Sequence, residues 1–197
     1  MRRLLPDLGG VVIRTPFEML DAVGSPGWRG PFDPGGDDLW QAMQRGEITE
    51  RDYWDRRARE LFDGADPVRD LMRVLLDRPE DDVVRPEMAA FLEEIDRPAV
   101  LTNDMSRFHP PEWVAQMTIL RRFDPLIDLS GGDVLKPDPR AFEVALERLG
   151  AEAGAVLFVN DQPGNLSGAA AVGMPTVWFD VTAVDESIDR IRAAVDG

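Results

Sequence analysis

Short apolar runs alternate with amphipathic stretches along most of the chain. Arg3–Leu5, followed by "PDLGGVVI", reads as a short buried strand that stops at a Gly-Gly turn. From Arg85 onward the alternation becomes regular. The pattern predicts a helix over Pro86–Ile95, with Pro86 near its first turn. A buried strand follows in "PAVLTN", Pro98–Asn103, then a helix over Trp113–Leu120 and a short strand and turn in "PLIDLSGG". Pro139–Leu149 has helical periodicity and is closed by Gly150. "AVLFVND" is the clearest strand, apolar until Asn160-Asp161. A small-residue helix, Gly164–Val172, a strand, "PTVWFD", and a last helix, Ser187–Val195, complete the series. Nearly all-apolar strands alternating with helices imply a parallel sheet covered on both faces, an α/β fold.

One block breaks this rhythm. Between about Thr15 and Val84 there is no strand pattern. A Gly/Pro-rich loop, "GSPGWRGPFDPGGDD", is followed by helical patterns at Asp38–Arg45, Thr49–Phe62 and Pro67–Leu76. Thr49 with Asp52 three residues on has the form of a capping box. The expected organisation is therefore a core made of 1–14 and 85–197, with a small helical insertion over 15–84. Pro6 cannot donate to a sheet ladder and belongs at a strand end.

Composition narrows the function. A formal net charge of −15 argues against nucleic acid or an anionic membrane as partner. The absence of cysteine excludes disulfides and thiolate chemistry, and a single His109 cannot build a His-rich metal site. The charged start is followed by an apolar run broken by Pro6 and Asp7, neither a signal peptide nor a membrane span. A cytoplasmic protein, monomer or homodimer, is expected. Lys136 is the only lysine; every other basic residue apart from His109 is arginine. An ammonium is a compact point charge on a flexible stem, suited to a gap between oxygen anions too narrow for a guanidinium.

The polar residues collect where strands end. Ligands of open parallel sheets sit beyond the C-terminal ends of the strands. Asp7, Thr102-Asn103, Lys136 and Asn160-Asp161 all fall at such ends or in adjoining loops. Singly, each reads as a turn, cap or solvated loop residue. Together and in this order they read as one crevice holding two carboxylates, a hydroxyl, an amide pair and an amine.

These segments resemble the haloacid dehalogenase hydrolase superfamily. "LLPDLGGVV" is similar to its first motif, with Asp7 as nucleophile; "AVLTN" to the second, with Thr102; "DVLKPDPRAFEVALERLG" to the third, with Lys136; and "VLFVNDQPGNLSGAAAVGMPTVWF" to the fourth, with Asp161. The helical insertion stands in the place of that family's C1 cap. The resemblance implies a Rossmann-like core and an aspartyl-phosphate formed on Asp7, with Thr102, Asn103 and Lys136 around the phosphoryl oxygens. It also implies Mg²⁺ held by Asp7, Gly9 and Asp161, with Asn160 beside them. The implied partner is a small phosphorylated metabolite.

Two departures from the family pattern matter. Gly9 stands where phosphatases of the family usually carry a second Asp as general acid/base, which favours substrates with good leaving groups such as sugar 1-phosphates, acyl phosphates or aryl phosphates. Asp104 is a candidate substitute acid. Asn160 replaces the first acid of the usual metal-binding pair, so weaker Mg²⁺ binding is expected. A haloacid dehalogenase needs neither the second Asp nor a metal and is one alternative; a binding or regulatory protein on a catalytically impaired scaffold is another. Trp28, Arg29, Trp40, Arg45, Tyr53 and Trp54 are the cap's candidates to line the mouth, Arg29 as a substrate contact. Trp40 and Trp54 are expected chiefly to form the cap's own core. His109-Pro110-Pro111 is expected to open the following helix.

Overall fold

The computed structural model describes residues 1–197. Its strands are β1 (Arg3–Pro6), β2 (Val100–Thr102), β3 (Leu126–Asp128), β4 (Val156–Asn160) and β5 (Thr176–Trp178). β1 pairs with β4, β4 with β5, and β2 with β3, all parallel. The Ala99 N–H donates to the Leu4 carbonyl, which brings β2 alongside β1 and gives the spatial order β3-β2-β1-β4-β5. Pro6 ends β1, opposite Val159. No helix is long and apolar enough to cross a membrane.

Side chains on successive strand residues point to opposite faces, and two apolar clusters result. Leu4, Leu157 and Val159 join one; Leu5, Val156 and Phe158 join the other. The second cluster is closed by α8 (Pro139–Leu149) and α9 (Pro163–Ala171) through Ala141, Phe142, Ala145 and Ala169. The first continues into the helical block and also takes in α5 (Pro86–Glu93) and α10 (Val184–Asp196).

Residues 16–83 contain only helical elements: a 3-10 helix over Pro16–Val23, two short 3-10 turns, then α1 (Asp38–Gln44), α2 (Glu50–Arg59), α3 (Pro67–Leu76) and α4 (Glu80–Val83). The Thr49/Asp52 capping box forms, with the Thr49 N–H on Asp52 at 2.9 Å and the Asp52 N–H on Thr49 Oγ1 at 3.1 Å. α3 buries Val68, Leu71, Met72, Leu75 and Leu76 along one stripe. Where the chain enters and leaves this block, Ile13 and Val84 form an antiparallel bridge. The Arg14 N–H donates to Val83 and the Arg85 N–H to Val12. The two connections thus run side by side as a neck. Phe17, Trp40, Tyr53 and Trp54 stack edge-on or tilted with ring centroids 5.0–5.9 Å apart, and belong to the same apolar cluster as the strand residues above.

One expected helix is divided. Over 113–120 the chain forms α7 (Pro111–Gln116) and then a 3-10 turn, Thr118–Arg122. Glu80 accepts from the N–H groups of Thr118 and Ile119, capping the second piece in place of continued α-helical bonding. Before α7 a single turn, α6 (Met105–Phe108), was not evident from the pattern. Pro110 and Pro111 open α7 as expected, while His109 ends the preceding turn and stacks its ring on Trp113 at 3.8 Å.

Candidate active site

Asp7 follows directly on β1, where its N–H donates to the Val159 carbonyl, so the sheet itself sets its height above the strand ends. Its Oδ1 accepts from the Leu8 N–H at 2.7 Å and lies 2.8 Å from Lys136 Nζ. Its Oδ2 accepts from Asn160 Nδ2 at 2.5 Å. The carboxylate is therefore fixed on both oxygens. Lys136 comes from the loop between β3 and α8. Asn103, just past β2, clamps that loop: its Oδ1 accepts from the Lys136 N–H at 2.9 Å and its Nδ2 donates to the Lys136 carbonyl at 3.0 Å. Nζ also donates to the Leu101 carbonyl at 2.9 Å, and its side chain is 1% exposed. Parallel pairing of β2 with β3 places these two loops side by side.

Asp7, Thr102, Asn103, Lys136 and Asp161 line one cavity of about 110 Å³, together with Gly9 and Gly10. The expected convergence of the strand-end residues is therefore found. Three expectations about individual side chains are corrected. Asn160 is turned the other way: its Oδ1 accepts from the Gln162 N–H at 2.7 Å and from Asn165 Nδ2 at 3.2 Å. A backbone N–H demands an acceptor, so the amide NH₂ must face Asp7. Asn160 thus steadies the carboxylate and does not offer its oxygen to a metal. Arg29 is exposed and lies outside the cavity; its backbone is tied down, with the N–H on Asp37 and the carbonyl accepting from the Phe32 N–H. Asp104 is held by Arg51 of α2, with Nη2 at 2.5 Å and Nε at 3.1 Å, which makes it a bridge between helical block and core instead of a free acid.

The core placement expected of Trp40 and Trp54 is found, whereas Trp28 and Tyr53 do not line the cavity. Trp40 and Trp54 both pack in the apolar cluster and line the cavity. Tyr53 is fully buried, with its hydroxyl on Asp37, and Trp28 donates to Glu60. Arg45 is exposed and pairs with Glu47.

Glu50, the first residue of α2, was missed. An acid in a first helical turn is adequately explained by the helix dipole, and nothing local marks it as overhanging a site. It lines the cavity, and burial of its carboxyl, with the charge of Asp7 second, pushes its pKa up to about 7. Asp161 is raised well above the ordinary carboxylate range, first by burial and then by the charges of Asp7 and Glu50. It makes no salt bridge. Three acids thus face one amine. That surplus is what a divalent cation would relieve, and oxygen donors suit a hard ion that keeps several waters. Asp7 and Asp161, with Gly9 lining the same cavity, are the residues that would hold it.

Gly10 makes the Asp161 position possible. Its φ is +76°, and a Cβ there would sit 2.4 Å from Asp161 Oδ2. Gly10→Ala is expected to lower stability by about 1–2 kcal/mol from the left-handed backbone alone, and to displace the carboxylate. Urea unfolding checks this; an unchanged midpoint would refute it.

The sequence profile of the haloacid dehalogenase-like hydrolases matches residues 10–173, starting three residues beyond Asp7. Acyl-CoA dehydrogenase family member 10 of Mus musculus is 29% identical over 204 residues, covering 94% of this chain but 18% of the mouse protein. A phosphoglycolate phosphatase of Rhodospirillum rubrum is 44% identical over 57 residues, 27% of this chain and 24% of that one. An (S)-2-haloacid dehalogenase of Pseudomonas sp. strain YL is 38% identical over 83 residues, 38% of this chain and 36% of its own. The chain thus matches well under half the length of each. Among solved structures, an HAD-like family hydrolase from Porphyromonas gingivalis superposes with a TM-score of 0.56 at 19% identity, covering 98% of both chains. The α/β architecture and the profile match agree: this chain belongs to the haloacid dehalogenase-like hydrolase family.

Proposed function

We propose that the site hydrolyses the phosphate monoester of a small metabolite, with Asp7 as nucleophile and Mg²⁺ as cofactor. The observation that carries this reading is the buried Lys136 ammonium 2.8 Å from Asp7, with a second, unpaired carboxylate at Asp161 lining the same cavity. A carboxylate that attacks a phosphate needs positive charge on both partners. When bound, the cation would polarise the phosphoryl group and offset its charge.

The residues divide the remaining work. Asn160 and the Leu8 N–H hold the Asp7 carboxylate in one orientation, so little reorganisation accompanies attack. An Asp7 oxygen forms the new bond to phosphorus while the bond to the leaving oxygen breaks; its electron pair departs with the alkoxide or aryloxide, which takes its proton from water. Lys136 keeps its ammonium beside Asp7 and the incoming phosphoryl oxygens, where charge is redistributed. The Thr102 hydroxyl lines the same space and serves those oxygens. Water then hydrolyses the aspartyl-phosphate and restores the carboxylate. Gly9 offers no side chain to protonate the leaving group, and a Cβ there would meet open space. Positioned acid catalysis typically contributes about 10²–10⁴ in rate. Glucose 1-phosphate should therefore be hydrolysed faster than glucose 6-phosphate; equal rates would count against a missing acid.

A haloacid dehalogenase is the second reading. The Asn160 amide on Asp7 favours it, because a nucleophile steadied by a neutral donor and one lysine needs no metal. Two assays separate the readings, with Asp7→Asn as blank: phosphate release from aryl and sugar phosphates with Mg²⁺ or chelator, and halide release from 2-chloropropionate. Mg²⁺-dependent phosphate release supports the first reading. Halide release indifferent to chelator replaces it with the second.

A further inference from the structure

Five buried polar side-chain atoms in the molecule have no hydrogen-bond partner. Three are guanidinium Nε atoms, of Arg3, Arg57 and Arg122, whose terminal nitrogens are bonded. The other two are the Thr15 hydroxyl and His109 Nδ1, and both residues line the cavity over Asp7. Buried polar groups almost always find a partner, so two orphans in one lining call for an occupant. Both side chains are held in place. Thr15 begins the 3-10 helix Pro16–Val23, where its N–H donates to Glu18 at 2.7 Å, and Glu18 is gripped by Arg85 at 2.6 and 2.9 Å. The Glu18 N–H takes the Thr15 carbonyl at 3.1 Å, which leaves the hydroxyl unused. The His109 ring lies flat on Trp113, and the Trp113 indole N–H is tied to the Leu76 carbonyl at 3.0 Å.

The chemistry of the occupant follows from these two groups. Burial lowers the His109 pKa to about 4, so at neutral pH the ring is uncharged, with one donor and one acceptor nitrogen. The threonine hydroxyl likewise both donates and accepts. A ligand hydroxyl can answer either group in either sense. A second anion on the substrate is disfavoured, because Asp7, Glu50, Asp104 and Asp161 outnumber Lys136 and Arg14 in the lining. A purely apolar leaving group would leave both orphans unpaired or trap water on them.

We propose that Thr15 and His109 are specificity-determining residues that hydrogen-bond a neutral hydroxyl of the leaving group, so that the site takes phosphate esters of polyhydroxy alcohols in preference to plain alkyl esters of the same length. The inference rests on the phosphate-ester reading above and deepens it, by assigning what is recognised beyond the phosphoryl group.

Glycerol 3-phosphate and n-propyl phosphate test it, because both are esters of a primary alcohol with the same carbon chain and differ only in free hydroxyls. Their binding to the full-length Asp7→Asn protein is measured by calorimetry in Mg²⁺ buffer, and their kcat/KM with the wild type. Glycerol 3-phosphate is expected to bind at least about tenfold more tightly, the usual penalty for one buried polar group left unpaired, and to keep that advantage in kcat/KM. Thr15→Val and His109→Phe preserve shape and stacking while removing the hydrogen-bonding atoms, and each should narrow the ratio; Thr15→Ser should preserve it. A merely structural role would move both esters alike and leave the ratio where it was. The wild-type kcat/KM ratio needs no variant, so the test survives a variant that does not fold. A ratio unmoved by either variant, or propyl phosphate bound as tightly as glycerol 3-phosphate, with phosphate still released by the wild type, would overturn the inference and leave the phosphatase reading standing. If neither ester binds and no ester yields phosphate, both fall together.

Discussion

Phosphate release is expected to fall by about 10²–10³-fold when Lys136 is replaced by arginine, although the charge is kept. The ammonium occupies a space bounded by Asp7 Oδ1 at 2.8 Å, the Leu101 carbonyl at 2.9 Å and the Phe158 ring, with Nζ 5.7 Å from the ring centroid. A guanidinium is wider and planar, and cannot approach both oxygens from between them. The Asn103 clamp on both sides of the Lys136 peptide prevents the loop from retreating to make room. Lys136→Met separates charge from shape. It leaves Asp7 without its ion-pair partner, and loss of one partner of a buried pair typically destabilises by about 3–5 kcal/mol. The methionine variant should therefore lose both activity and stability, whereas the arginine variant should lose mainly activity. Steady-state kinetics and urea unfolding of the two proteins supply the comparison. Near-wild-type turnover by the arginine variant would defeat the claim that a compact charge is required.

The residues legible from sequence are those whose placement follows from strand direction alone. Asp7, Thr102, Lys136 and Asp161 each end or follow a strand of one parallel sheet, so recognising the strands was enough to bring them together. Side-chain orientation was not legible. The turn of Asn160 is dictated by the Gln162 N–H two residues on, and the same residue type would serve equally well in the opposite sense elsewhere. Contacts between the helical block and the core were also hidden. Glu50 and Arg51 reach Asp7's cavity and Asp104 only because α2 begins above the strand ends, and no local pattern reports the docking of one segment on another. Arg29 failed for the same reason in reverse. Its glycine-flanked loop has the composition of a binding loop, but Asp37 ties it to α1 and turns its side chain to solvent. The division of the 113–120 helix was equally invisible, since the cap that ends it, Glu80, lies 38 residues from Thr118.

Asp161→Asn is expected to abolish the response to Mg²⁺ in both activity and stability, while making the metal-free protein less sensitive to rising pH. Burial and the neighbouring acids raise Asp161, and Glu50 is pushed up to about 7. Unfolded carboxyls titrate near about 4. Between those values the folded protein binds more protons than the unfolded one. The slope of unfolding free energy with pH is then negative, so stability is full below about 4 and is lost as pH rises through about 7. The asparagine variant removes one of the two groups responsible, and its decline should be shallower. Mg²⁺ acts against the same loss, because it binds the ionised carboxylates. Its stabilising effect in the wild type should thus be larger at pH 8 than at pH 5.5. At ten times its dissociation constant a ligand adds about 1.4 kcal/mol, and for a chain of this length that raises Tm by about 3–6 °C. Thermal unfolding of both proteins at the two pH values, with and without Mg²⁺, gives the answer. A rise in Tm that survives Asp161→Asn, or one that is larger at pH 5.5, would remove Asp161 from the metal's ligands and with it the reason for three acids around a single lysine.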